Sequence, residues 1–205
     1  RNHRSKWPEH YTNAIYSDDG GKTWNTSDPF PAKGTGEATL AELADGTIYY
    51  NTRRHWAPEG ENPRRRWTAT SSDGGKTWKN LQFCEILPDG PQNTNYGCMA
   101  GLTRLAVKGR DILLYSTCAS PGGRRLGTIW ASLDGGKTWH YRSCVPPLPE
   151  MGDEGWAEPG LPLLPTGELL TILRNGEGNA PLYLARSDDG GRTWSDPVRS
   201  RLNGQ

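Results

Sequence analysis

Nowhere does this sequence run apolar for the roughly 20 residues that carry a helix across a bilayer, so no membrane span is expected. Neither sign of charge prevails: 24 Lys and Arg stand against 23 Asp and Glu, a net charge of +1. Without a field of one sign, nothing recruits nucleic acid or an anionic membrane. Arg64, Arg65 and Arg66 form the only basic run, which reads as a solvated loop. The four cysteines, Cys84, Cys98, Cys118 and Cys144, show no C-x-x-C spacing. Nor do His3, His10, His55 and His140 recur at ligand spacing, so no metal site is expected. No glycine-rich phosphate loop opens a helix, and no cofactor is implied. The chain begins at Arg1 with neither Met nor a leader-like segment, which suggests an excised or partial sequence.

What the chain does have is a box written four times. It reads SDDGGKTW at Ser17 to Trp24, SSDGGKTW at Ser71 to Trp78, SLDGGKTW at Ser132 to Trp139 and SDDGGRTW at Ser187 to Trp194. The closing tryptophans, Trp24, Trp78, Trp139 and Trp194, are 54, 61 and 55 residues apart. Short alternating strands repeated at that period imply stacked sheets of the propeller kind. Each box must reverse the chain, which calls for Asp side chains that accept backbone N–H groups and for Gly where φ turns positive. Asp19, Asp73, Asp134 and Asp189 are therefore read as turn acceptors. The tryptophans, large and apolar, are expected to fill the gaps between sheets. With apolar content modest, nine Trp and eight Tyr supply the packing bulk.

The repeated S-x-D-x-G-x-T-W resembles the Asp box of the sialidase superfamily. That resemblance implies an all-β, six-bladed β-propeller with the box in the turn between the third and fourth strands of each blade. It identifies a fold better than a function, since in the family the box lies away from the active site.

Taken in order, His10 to Ser17 reads as a third strand, Gly36 to Leu43 as a first strand and Thr47 to Arg53 as a second. Trp67 to Ser71 reads as a third strand, and the pattern recurs at Cys98 to Leu105 with Asp111 to Thr117 and at Ala157 to Leu164 with Glu168 to Arg174. This gives one partial propeller domain over 1–205: a half blade at 1–35 and blades at about 36–90, 91–150 and 151–205. Unclosed sheets leave edges exposed, so about two and a half further blades are expected if the family's count of six applies.

Strand parity sorts the residues by end. Antiparallel neighbours reverse at each turn, so the start of strand one, the end of strand two and the following loop share one end of a blade. Glu37, Arg53, Arg124 and Glu158 are thereby expected at one mouth and the boxes at the opposite end. GEATLAELADGTIYYNTRR and AEPGLPLLPTGELLTILRN align without gaps, placing Glu37 on Glu158 and Arg53 on Arg174. The middle copy, CMAGLTRLAVKGRDILLY, puts Met99 at the Glu position. All three positions should face the central axis.

GEATLAELADGTIYYNTRR also resembles the sialidase segment in which a Glu opens one strand and an Arg ends its partner. The resemblance implies that Glu37 polarises the nucleophile and that Arg53 belongs to the arginine clamp on the sialic acid carboxylate. A guanidinium suits that task because it offers paired planar donors and stays charged. GGRRLGTIWASLDGG resembles the stretch carrying another clamp arginine, in a register that favours Arg124 over Arg125. The plain alternative for Arg53 and Arg124 is a solvated strand-end or loop arginine.

One position departs from the family. Sialidases use a Tyr nucleophile, and in this register the position holds Glu158, in WAEPGLPLLPTG. Glu37 and Glu158 would then form a carboxylate pair across the mouth; alternatively the propeller binds an acidic glycan without cutting it, or Glu158 is an ion pair with Arg174 or Arg53. The expected activity is that of an exo-α-sialidase acting on terminal sialic acids, with Glu37 and Glu158 as catalytic candidates and Arg53, Arg124 and Arg174 as substrate-binding candidates. A non-catalytic glycan-binding propeller and a glycosidase for another sugar are the alternatives. The expected partner is a sialylated glycan or other acidic sugar. The sequon Asn25-Thr26-Ser27 accords with an extracellular, secretory or lysosomal setting. For the cysteines two readings stand: Cys84 with Cys98 and Cys118 with Cys144 as disulfides, or four buried thiols.

Overall fold

A computed structural model describes residues 8–54, 56, 65–89, 98–107, 110–119, 124–149, 151, 155–175 and 180–203. After a two-stranded ribbon of β1 (Ile15–Tyr16) and β2 (Asn25–Thr26) come three four-stranded antiparallel sheets. The first holds β3 (Thr35–Glu42), β4 (Ile48–Arg54), β5 (Arg65–Ser71) and β6 (Lys79–Pro88). In the second are β7 (Gly101–Val107), β8 (Arg110–Cys118), β9 (Gly127–Ser132) and β10 (His140–Cys144). The third contains β11 (Trp156–Gly160), β12 (Leu169–Asn175), β13 (Pro181–Ser187) and β14 (Val198–Asn203). Each sheet is an up-and-down meander in chain order. The leading strands lie together, β3 against β7 and β11 against β7 and β8, as the inner strands of propeller blades do. No helix among the described residues is long and apolar enough to cross a membrane.

Two strands are shorter than the sequence suggests. From His10 to Ser17 only Ile15 and Tyr16 are strand. The preceding residues meet the returning chain irregularly: Ser27 N–H bonds Ala14 O, Phe30 N–H bonds Thr12 O and Gly34 N–H bonds His10 O. Pro29 and Pro31 have no N–H to give, so a regular ladder cannot form there. β11 stops at Gly160 rather than Leu164, beyond which Pro162 likewise lacks a donor and only an isolated bridge joins Leu163 to Leu169.

The boxes are built alike. Asp19 Oδ1 accepts the N–H groups of Lys22 and Thr23, both at 2.9 Å, and its Oδ2 accepts the Thr23 hydroxyl at 2.6 Å. Ser17 Oγ accepts Gly21 N–H and donates to Asp19. Asp73, Asp134 and Asp189 repeat these bonds at their own positions. Both glycines of each box have positive φ. At Gly136 there is a second constraint, because a Cβ would collide with the Tyr49 ring of the preceding sheet.

Tryptophans of the boxes close the gaps between sheets, with one exception. Trp139 is 3% exposed and packs on Tyr49 of the first sheet and Tyr115 of its own. Trp78 Nε1 donates to Ser27 Oγ and Asp28 O, and Trp194 Nε1 donates to Ser143 Oγ, each reaching the preceding sheet. Trp24 is 59% exposed, contrary to expectation, since no earlier sheet lies against it among the described residues.

Register fixes the ends. Thr35 pairs with Arg54 at one end of the β3–β4 ladder and Glu42 with Ile48 at the other. Ser71, which opens a box, stands opposite Ile48. Ser132 and Ser187 are placed the same way, opposite Leu113 and Leu169. The boxes thus occupy the end away from Arg54.

Candidate active site

Glu37 and Glu158 both sit in bulges of inner strands. Between the pairs Thr35–Arg54 and Ala38–Thr52, residues 36 and 37 oppose the single residue Arg53. Between Ala157–Arg174 and Gly160–Ile172, residues 158 and 159 oppose Leu173. An extra residue kinks the strand and re-aims its side chains. Glu158 carries a left-handed backbone, φ 50°, uncommon for a residue with a Cβ. Pro159, which has no N–H, follows it, and its carbonyl accepts the Ser116 hydroxyl of the second sheet at 2.6 Å. Gly101 makes that approach feasible: a Cβ there would clash with Ser116 and with the backbone at Pro159 and Leu161.

Each bulged carboxylate meets the arginine sixteen residues later. Arg53 Nη1 donates to Glu37 Oε2, and Arg174 Nη1 donates to Glu158 Oε2 at 2.9 Å. Glu158 has a second partner, Arg124 Nη1, 3.3 Å from its Oε1. Arg53 is 5% exposed and its Nε is buried without an acceptor among the described residues, so it is not a solvated strand-end arginine. Arg124, with a side chain 16% exposed, is partly buried and paired rather than a fully solvated loop arginine. For Glu158 the ion-pair expectation holds with Arg174 and gains Arg124; no ion pair with Arg53 is found among the described residues. Met99, the third position of the repeat, is 37% exposed just ahead of β7.

Beneath these groups lies a buried polar floor that sequence reasoning missed. Arg66 is wholly buried rather than part of a solvated basic run; Arg64 lies outside the described residues. The Arg66 guanidinium donates to Asp89 Oδ1 at 2.7 Å, Asn51 Oδ1 at 2.7 Å and the Cys98 carbonyl at 2.8 Å, and lies over the Tyr115 ring. Asp89 also accepts the backbone N–H groups of Arg54 and Cys98. The reason is alternation: in β5 the side chain of Arg66 turns inward between the more exposed Arg65 and Trp67, and a buried charge is tolerated only when paired and hydrogen-bonded. Burial pushes the Tyr115 phenol pKa well up.

The cysteine pairings suggested by sequence are overturned. All four thiols are free, and Cys98 and Cys118 are the two that meet. They approach because the β7–β8 hairpin brings the residues ahead of β7 level with the end of β8, a cross-strand relationship that spacing along the chain does not reveal.

Three arginines, Arg53, Arg124 and Arg174, therefore face two carboxylates. Among the described residues no cluster of three His, Cys, Asp or Glu could hold a metal ion. A hollow of about 320 Å³ adjoins Glu37, lined also by Thr12, Asn13 and Tyr50. A larger cleft of about 740 Å³, lined by Asp45, Tyr49, Asp111 and Lys137, opens beside the second sheet's box and includes none of the five site residues.

A family model described as BNR repeat-like domain matches residues 2–152, and one described as BNR/Asp-box repeat matches residues 185–196. The chain belongs to the BNR repeat-like family of the sialidase superfamily. This BNR propeller is 33% identical over 131 residues to a sialidase of Micromonospora viridifaciens, covering 62% of the chain and 18% of that protein. A crystal structure of a Dyadobacter fermentans protein of unknown function aligns with 97% of the BNR propeller and 60% of its own chain, at TM-score 0.66 and 24% identity. The NanB sialidase of Streptococcus pneumoniae aligns with 82% of the propeller and 24% of its own chain, at TM-score 0.60 and 23% identity. The BNR propeller thus spans about a fifth of the length of the curated sialidase it matches.

Proposed function

We propose that the protein carrying this chain is an exo-α-sialidase-like glycoside hydrolase that removes terminal sialic acids from glycoconjugates, acting outside the cytoplasm. The observation that carries this reading is the repeated carboxylate–arginine construction, Arg53 on Glu37 and Arg174 with Arg124 on Glu158, at the box-free end of a sialidase-superfamily propeller. A substrate carboxylate is a natural complement to the planar paired donors of these three guanidinium groups. Arg53 and Arg124 hold that carboxylate, and Arg174 keeps Glu158 in place. Glu37 stands beside the reacting centre, and the bulge at Glu158 presents a second carboxylate to it. Paired carboxylates are the usual equipment for cleaving a glycosidic bond.

A second reading has its own support: Glu158 stands where sialidases carry their Tyr nucleophile, which favours a propeller that binds acidic glycans without hydrolysing them. Release of a fluorogenic aglycone from an α-sialoside by the full-length protein separates the two. Turnover that requires Arg53 supports the hydrolase, whereas Arg53-dependent binding of sialic acid with no turnover overturns it.

A further inference from the structure

We propose that Cys98 and Cys118 form a redox-active dithiol that closes to a disulfide beneath the mouth, tying the segment ahead of β7 to the end of β8. Their sulfurs are 2.9 Å apart and both residues are fully buried. The backbone of Cys98 is held on both sides, its N–H on Asp89 and its carbonyl on Arg66, so its thiol is delivered to Cys118 by a fixed main chain. Cys84 and Cys144 differ: both are only partly buried, and neither meets another thiol among the described residues.

The two thiols are not equivalent. Cys118 donates its S–H to Cys98, and this bond, with the positive charges of Arg124 and Arg53, favours the Cys98 thiolate over the opposing effects of burial and Asp89. The bond to Cys98 and burial push the Cys118 thiol up. Cys98 is therefore the attacking sulfur and Cys118 the resolving one.

The oxidant is hydrogen peroxide, close to water in size and so suited to a pair buried from larger reagents. The Cys98 thiolate attacks one peroxide oxygen; the O–O bond breaks, the hydroxide that leaves takes up a proton as water, and a sulfenic acid remains on Cys98. Cys118, giving up its proton, attacks the Cys98 sulfur and expels the sulfenic oxygen as a second water. Two electrons pass to the peroxide, and the two thiol protons end in the two waters. Closure removes the thiolate from beside Arg53 and Arg124.

The test is to treat the full-length protein with a slight excess of hydrogen peroxide, remove the peroxide with catalase, denature the protein in the presence of an alkylating agent and map its peptides by mass. Peptides holding Cys98 and Cys118 are expected joined, lighter by two hydrogen atoms than the separate thiol peptides, with Cys84 and Cys144 alkylated. Cys84→Ser/Cys144→Ser should keep the link, and Cys118→Ser should leave a dimedone-reactive sulfenic acid on Cys98. Alkylation of all four thiols after oxidation, or a link from Cys98 to Cys84, overturns the proposal.

Discussion

Arg174 Nη1 bonds Glu158 Oε2 at 2.9 Å, repeating in the third sheet the pair that Arg53 makes with Glu37 in the first. Two blades thus present the same device, a carboxylate thrown out by a bulge and caught by the arginine on the neighbouring strand. The third-sheet copy adds a second arginine, Arg124.

Removing the charge of Glu158 separates its two effects. In Glu158→Gln three arginines face one carboxylate, so free sialic acid should bind about tenfold tighter, the worth of roughly one charge-assisted bond. The same change should lower unfolding stability by about 1–3 kcal/mol, because two guanidinium groups exchange a charged acceptor for a neutral one. Calorimetric titration and urea unfolding check both; weaker sialic acid binding would show that Glu158 does not compete with the ligand.

Tryptophans of the boxes should differ sharply in cost. Trp139→Ala removes a buried wedge between Tyr49 and Tyr115 and should cost about 3–5 kcal/mol. Trp24→Ala, at an exposed position, should shift stability by about 0.5 kcal/mol or less. Equal losses in denaturant unfolding would contradict the packing described.

Acid should act on the boxes. Hydrogen bonds from the Thr23 hydroxyl and N–H, with the Ser17 hydroxyl, hold Asp19 at about 2, down from an ordinary 3.8. Ser71 and Thr77 hold Asp73 well below the usual range in the same way. A depressed folded-state pKa contributes stability that is fully present above the unfolded value and lost as pH falls through the folded one. Stability should therefore decline from about pH 4 toward pH 2, and Asp73→Asn should lessen that decline, as followed by circular dichroism. An unchanged acid profile in the variant would contradict this role.

The repeated box and the ungapped alignment of its flanking segments were enough to identify the blades, the box-free end and the Glu37–Arg53 and Glu158–Arg174 correspondences, because turn chemistry and strand period are local. Arg66 was not recoverable in that way. A run of three arginines reads as solvated, and only the partner strands bring Asp89 and Asn51 to it. The Cys98–Cys118 contact was hidden for a similar reason, since it depends on hairpin register. Both bulges left a trace, Gly36 before Glu37 and Pro159-Gly160 after Glu158, but alternation alone cannot count the extra residue.

The central claim is tested most directly by fluorogenic α-sialoside turnover in the full-length protein, with Arg53→Ala and Glu37→Gln measured beside it. The account predicts that the full-length protein releases the aglycone and that both variants lose about two to four orders of magnitude in kcat/KM, as expected when a charge-stabilising or proton-handling group is removed. No release by the full-length protein, or variants that turn over as it does, would contradict it.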